Sequence, residues 1–207
     1  MVRAVLALAL ASGLGLGLTA PAHADVFRLF GDVHGGGLYG QGTSGAQKDT
    51  AFFKNAPHAA YGAQVGAEVL FADLWIEHDQ FTTGSRLTTW TQIGLGVHFQ
   101  LALGSTKEQK ADTGAFVELS SGLFFGVGTG QQVMPPLDNA QISDKGFLLG
   151  ATLGAGTHLT KNFDLALSIP VSWGYFFKQG AANDTTNHYQ SVQVEAFVVL
   201  RAHVGLF

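Results

Sequence analysis

Three stretches of this chain bring together residue types that catalyse acyl or proton transfer. His158-Leu159-Thr160 sets an imidazole two residues from a hydroxyl, His188 and Ser191 precede Glu195, and His78 adjoins Asp79. A hydroxyl nucleophile needs a base within hydrogen-bond reach of its proton and a third group to orient that base. A different chemistry is open to His98, His158 and His203, since imidazoles are common zinc ligands. Their spacing is not that of a local metal motif, so a hydrogen-bonding role is the simpler expectation. A third group, Arg28, Asp32, Glu68, Glu118, Glu195 and Arg201, places charge inside stretches that are otherwise apolar at alternate positions. What any of these residues can do depends on the face to which its backbone sends it.

The faces follow from a two-residue period. From Val192 to Leu206 the even positions are Val192, Val194, Ala196, Val198, Leu200, Ala202, Val204 and Leu206. The odd positions include Gln193, Glu195, Arg201 and His203. Successive side chains of a strand point to opposite sides, so one face is hydrocarbon and the other carries charge. Ser191 and Glu195 share the polar parity while His188 does not, which keeps that would-be base from its nucleophile. The same alternation predicts seven earlier strands, near residues 26–40, 59–70, 73–82, 87–103, 114–128, 146–159 and 163–177. The third is the least regular of them.

Composition narrows the class. Glycine counts 28, aromatic residues make up 11%, charged residues only 13%, and there is no cysteine. A soluble domain carries about twice that share of charge. Residues 1–24 read as a cleavable signal peptide, with Arg3, an apolar stretch Val5 to Leu18, and Ala22-His23-Ala24 as the cleavage site. Residues 25–207 then form one domain. Losing Arg3 takes Lys+Arg from 11 to 10 against Asp+Glu 15, so the formal charge moves from -4 to -5. That acidity argues against nucleic acid as a partner. Lysines fall in or beside connections, and the connections on one side of the strand set are longer than those on the other. Both traits are expected of a membrane barrel, as are Tyr39, Tyr61, Tyr175 and Phe177 near one end and Phe27, Phe71, Phe99 and Phe163 near the other.

On alternation, strand number and the terminal Phe207, the chain resembles the small OmpA/OmpX-type outer-membrane barrels. The resemblance implies an all-β fold, an eight-stranded antiparallel transmembrane up-and-down β-barrel preceded by a cleavable signal peptide. It also implies a bacterial outer-membrane location and insertion by the barrel assembly machinery, with Phe207 in the assembly signal. Phe207 departs from the family pattern by its odd parity, opposite to the even apolar set. Outer-membrane lipids and lipopolysaccharide would be its surroundings, and an extracellular ligand would meet its loops. Some barrels of this size modify lipid A with a His-x-Ser pair or a His, Asp and Ser set, and neither pattern is reproduced here.

An eight-stranded barrel is just wide enough for side chains to fill. Counting residues from the end at which the chain enters pairs Arg201 with Asp32 and Arg28 with Glu68. Glu118 and Glu195 join them in an inward ion-pair network, with His98 and His203 as lumen histidines. Inward glycines such as Gly94, Gly96 and Gly150 are expected to leave water-filled space. The expected role is a non-enzymatic barrel with a polar, plugged lumen, structural or engaged in surface interaction, without cofactor or metal. A narrow porin-like channel for small polar solutes is the alternative, and a lipid A-modifying enzyme a distant one.

Overall fold

The computed structural model describes residues 26–45, 57–83, 86–103, 117–133, 142–179 and 188–206. The segment read as a signal peptide and Phe207 lie outside the described residues, as do the tips of the longer connections. Eight strands follow one another: β1 (Phe27–Ser44), β2 (Pro57–Val69), β3 (Ala72–Thr83), β4 (Arg86–Leu103), β5 (Val117–Val133), β6 (Ile142–Thr160), β7 (Phe163–Gln179) and β8 (His188–Gly205). Each pairs antiparallel with its sequence neighbours, and β8 returns to β1 to close the barrel. Closure removes both raw sheet edges, which an open sheet of this length would expose.

The strands extend beyond the alternation that announces them. β8 begins at His188 rather than Val192, and β5 runs on to Val133. Two strands meet irregularities. The β1–β8 ladder shifts between Gly42 and Ser44, and the β6–β7 ladder between His158 and Thr160. The β2–β3 connection is the two-residue turn Leu70-Phe71, in which Leu70 takes a left-handed φ of 60°. Phe71 stacks on Phe99 with ring centroids 6.0 Å apart, both at the same end of the barrel.

Alternation sends hydrocarbon outward from every strand. Val33, Val65, Ile76, Ile93, Val127, Leu149, Leu167 and Val198, one from each strand, are all exposed. The interior takes the opposite parity, and it is aromatic as well as polar. Leu38, Phe81, Trp90, Leu148, Phe176, Tyr189 and Phe197 form a buried cluster inside the ring of strands. Trp90 on β4 meets Phe176 on β7 edge-on at 5.5 Å, and Phe176 stacks on Tyr189 of β8 at 5.1 Å. Since β4 and β7 are not neighbours in the sheet, the contact crosses the lumen.

Several inward glycines seat aromatic rings, while Gly96, Gly122 and Gly156 also border a cavity in the lumen. Trp75 is the ladder partner of Gly94, and a Cβ on Gly94 would overlap its indole. Gly96 faces the same indole from one step along the face. Phe124 lies against its partner Gly150, where a Cβ would come within 2.5 Å of the ring. Phe176 lies against its partner Gly146 in the same way. A cross-strand ring over a glycine packs both at once.

Candidate functional site

Below the aromatic cluster the lumen is polar. Asp32 and His34 come from β1, Glu77 and Asp79 from β3, Gln92 from β4, Glu195 from β8. Their side chains line a cavity of about 210 Å³. His34 stands between two carboxylates, its Nδ1 3.2 Å from Asp32 and its Nε2 2.7 Å from Asp79. With both carboxylates ionised, both contacts are hydrogen bonds only if both ring nitrogens carry a proton. Trp90 Nε1 donates to Gln92 Oε1 at 3.3 Å, and Gln92 Nε2 donates in turn to Glu77. The aromatic layer and the polar layer are therefore hydrogen-bonded to each other.

Arg201 donates from Nε and Nη2 to Asp32 Oδ2, at 3.2 and 3.1 Å, across the seam where β8 meets β1. Its guanidinium also lies 4.8 Å from the centre of the Phe30 ring. Arg28 reaches Glu68 at 3.5 Å on the β1–β2 ladder. Glu195 lines the cavity, and among the described residues no arginine or lysine pairs with it. The side chain of Glu118 lies outside the described residues, although its backbone pairs with Ala102 and Gly156.

The lumen histidines separate into two places. His98 accepts or donates at 2.7 Å to Asp73, a carboxylate from β3. His203 lies instead with His158 and Asp164, on three successive strands at the end where β6 turns into β7. The β3 carboxylates Asp73, Glu77 and Asp79 are absent from the inward set expected from sequence. The available signal was the odd run Asp73, Trp75, Glu77, Asp79, Phe81 against outward Leu74 and Ile76. Asp144 is a further missed inward group, and accepts a hydrogen bond from Tyr189 at 2.6 Å.

None of the three catalytic-type stretches converges. His78 is exposed and hydrogen-bonds Thr91 at 2.8 Å on the outer face, while its neighbour Asp79 points into the lumen. Ser191 is buried and donates to the Gln41 carbonyl at 3.1 Å, whereas His188 stacks on Tyr175. Thr160 is exposed and its hydroxyl accepts from the Asn162 amide, while His158 turns inward to Asp164.

Strand order, closure and the division between faces define a small eight-stranded antiparallel up-and-down barrel, hydrocarbon outside and polar-aromatic inside. This is the class the sequence resembles. Among solved structures the chain is similar to Neisserial surface protein A, at 11% identity and a TM-score of 0.48, over 85% of this chain and 96% of that one. It is also similar to the N-terminal β-barrel domain of Pseudomonas aeruginosa OprF, at 13% identity and a TM-score of 0.38, over 84% and 97% of the two chains. No known protein family and no curated protein matches the sequence.

Proposed function

We propose that this protein is a non-enzymatic integral barrel of the bacterial outer membrane, closed to solutes, whose specific contacts are made by its extracellular loops. The observation that carries this reading is the outward face. Val65 is 63% exposed, Ile93 59% and Leu95 58%, and comparable side chains ring the barrel on every strand. Soluble monomers rarely expose an apolar patch beyond a few hundred Å². In a bilayer the same belt is simply solvated by lipid tails. Tyr39, Tyr61 and Phe177 near one rim and Phe71, Phe99 and Phe163 near the other are exposed aromatics of the kind that sit at headgroup level.

Outer-membrane lipids and lipopolysaccharide then surround the belt, the barrel assembly machinery inserts it, and a loop ligand is its specific partner. The scattering of the catalytic-type residues over opposite faces supports a non-enzymatic role. The ring contacts across the lumen favour a plug over a conducting channel.

The reading is tested by Leu95→Arg in the mature chain refolded into lipid vesicles. An arginine at the middle of the lipid face is expected to lower the unfolding free energy by about 2–4 kcal/mol, read as a shift in urea midpoint. On a water-exposed face the same change would stay within about 0.5 kcal/mol. A midpoint that does not move would remove the membrane assignment.

A further inference from the structure

Three groups of ligating side chains lie within the described part of the lumen: His34 with Glu77 and Asp79, His98 with Glu68 and Asp73, and His158 with Asp164 and His203. In the first, both nitrogens of His34 are already engaged by carboxylates. In the second, Arg28 sits 3.5 Å from Glu68 and opposes a second cation. The third differs in kind, because two imidazoles flank a single carboxylate. His158 Nδ1 is hydrogen-bonded with Asp164 Oδ1, and His203 Nε2 lies 3.2 Å from Asp164 Oδ2.

His203 is only 9% exposed, and its buried Nε2 finds no hydrogen bond of acceptable geometry among the described residues. Its 3.2 Å contact pairs this nitrogen with Asp164 electrostatically but leaves it without a well-formed hydrogen bond, which is costly for a buried polar atom. The backbone around it is fixed from both sides. His203 N donates to the Asn162 carbonyl at 2.9 Å, and Asn162 Nδ2 donates to the His203 carbonyl at 2.8 Å. On the other strand, the β6–β7 ladder shifts between His158 and Thr160. Such irregularities re-aim side chains, and they recur next to functional sites.

We propose that His158, Asp164 and His203 form a binding site for a divalent cation of the zinc class at this end of the barrel. All three ligand atoms lie within 4.8 Å of one another. A tetrahedral zinc with bonds near 2.0–2.1 Å holds its ligand atoms about 3.3 Å apart, so the His158–Asp164 pair must open to admit it while the wider gaps within the 4.8 Å limit close. The cation displaces the proton shared by His158 and Asp164 to solvent, and binds His203 Nε2 in place of its contact with Asp164. Two imidazoles and one carboxylate favour zinc-like ions over magnesium, which prefers oxygen ligands. The remaining position is open to water, as His158 keeps 23% and Asp164 15% of its side-chain surface. Arg201 is the ladder partner of Asp164 but turns its guanidinium to Asp32, leaving this carboxylate for the cation.

The experiment is calorimetric titration of zinc chloride into the refolded barrel in a zwitterionic detergent, with magnesium chloride as the competing probe. One zinc per chain is expected, unaffected by magnesium. His203→Ala and His158→Gln should each weaken it at least ~tenfold. His98→Ala, in the separate cluster, should leave it unchanged. Heat-modifiable migration on gels reports whether each variant has refolded. As a readout independent of binding heat, zinc should raise the urea midpoint of the wild type and not that of a folded His203→Ala. Absence of zinc binding by the wild type, or binding lost with His98→Ala and kept with His203→Ala, overturns the assignment.

Discussion

Arg201→Ala is expected to lower the unfolding free energy of the barrel by about 3 kcal/mol, the lower end of the range for breaking a buried ion pair. The magnitude comes from Asp32, whose side chain is 1% exposed and would lose two charge-assisted hydrogen bonds at once. The lower end applies because Asp32 keeps a second partner, His34 Nδ1 at 3.2 Å. Loss of the guanidinium over Phe30 adds a smaller term of about 0.5–1 kcal/mol. A second change, Asp32→Asn on the Arg201→Ala background, removes the stranded charge and should return at least ~1 kcal/mol. Urea unfolding in lipid vesicles measures both. A single-variant loss below about 1 kcal/mol would mean that the pair behaves like a solvated surface bridge.

The combined change Trp90→Ala with Phe176→Ala is expected to be larger in stability and to alter behaviour in kind. Each truncation of a buried large aromatic costs about 3–5 kcal/mol. The two rings touch across the lumen, so their losses should be less than additive. Together with Tyr189 and Phe81 they form the aromatic cluster that adjoins the polar cavity, which Phe81 and Trp90 help to line. Emptying that part of the lumen joins the cavity to the outer side. Planar-bilayer recordings should show a silent wild type and discrete openings in the double variant. A conducting wild type would refute the closed lumen, and a silent, refolded double variant would place the constriction elsewhere.

The parts of the fold that were legible were those whose two faces differ in hydropathy. β4 announces itself because Ile93, Leu95 and Val97 alternate with glycine or polar residues, and β8 because Val192 to Leu206 is apolar at every even position while Gln193, Glu195, Arg201 and His203 stand on the odd ones. β3 is blurred because its inward face alternates acid with aromatic, so apolar side chains fall on both parities. That blurring hid Glu77 and Asp79, two of the six residues of the central polar cluster. The inward aromatics were hidden by a related effect. Phe197 and Val199 stand on the same parity as Glu195 and Arg201, and the charges had marked that face as polar. Ladder neighbours such as Arg28 and Glu68 can be matched by counting along two adjoining strands. Contacts across the lumen cannot, since they depend on strand tilt and stagger. His158 and His203 are 45 positions apart in the chain, and the ladder shift after His158 breaks the count between them.

The seating of rings on glycines has a consequence for how such a barrel can change over time. Trp75 and Gly94, Phe124 and Gly150, and Phe176 and Gly146 each divide one fixed volume between two strands. Enlarging a glycine first would evict a ring, and shrinking a ring first would leave a void, so either single step passes through a less stable protein. Divergence at these places should therefore proceed by exchange within a pair, with the bulk crossing from one strand to its neighbour. A lineage that has made such an exchange would show a glycine where this chain has a tryptophan or phenylalanine. The mismatch would sit at two distant points in the sequence while the packed interior stayed the same.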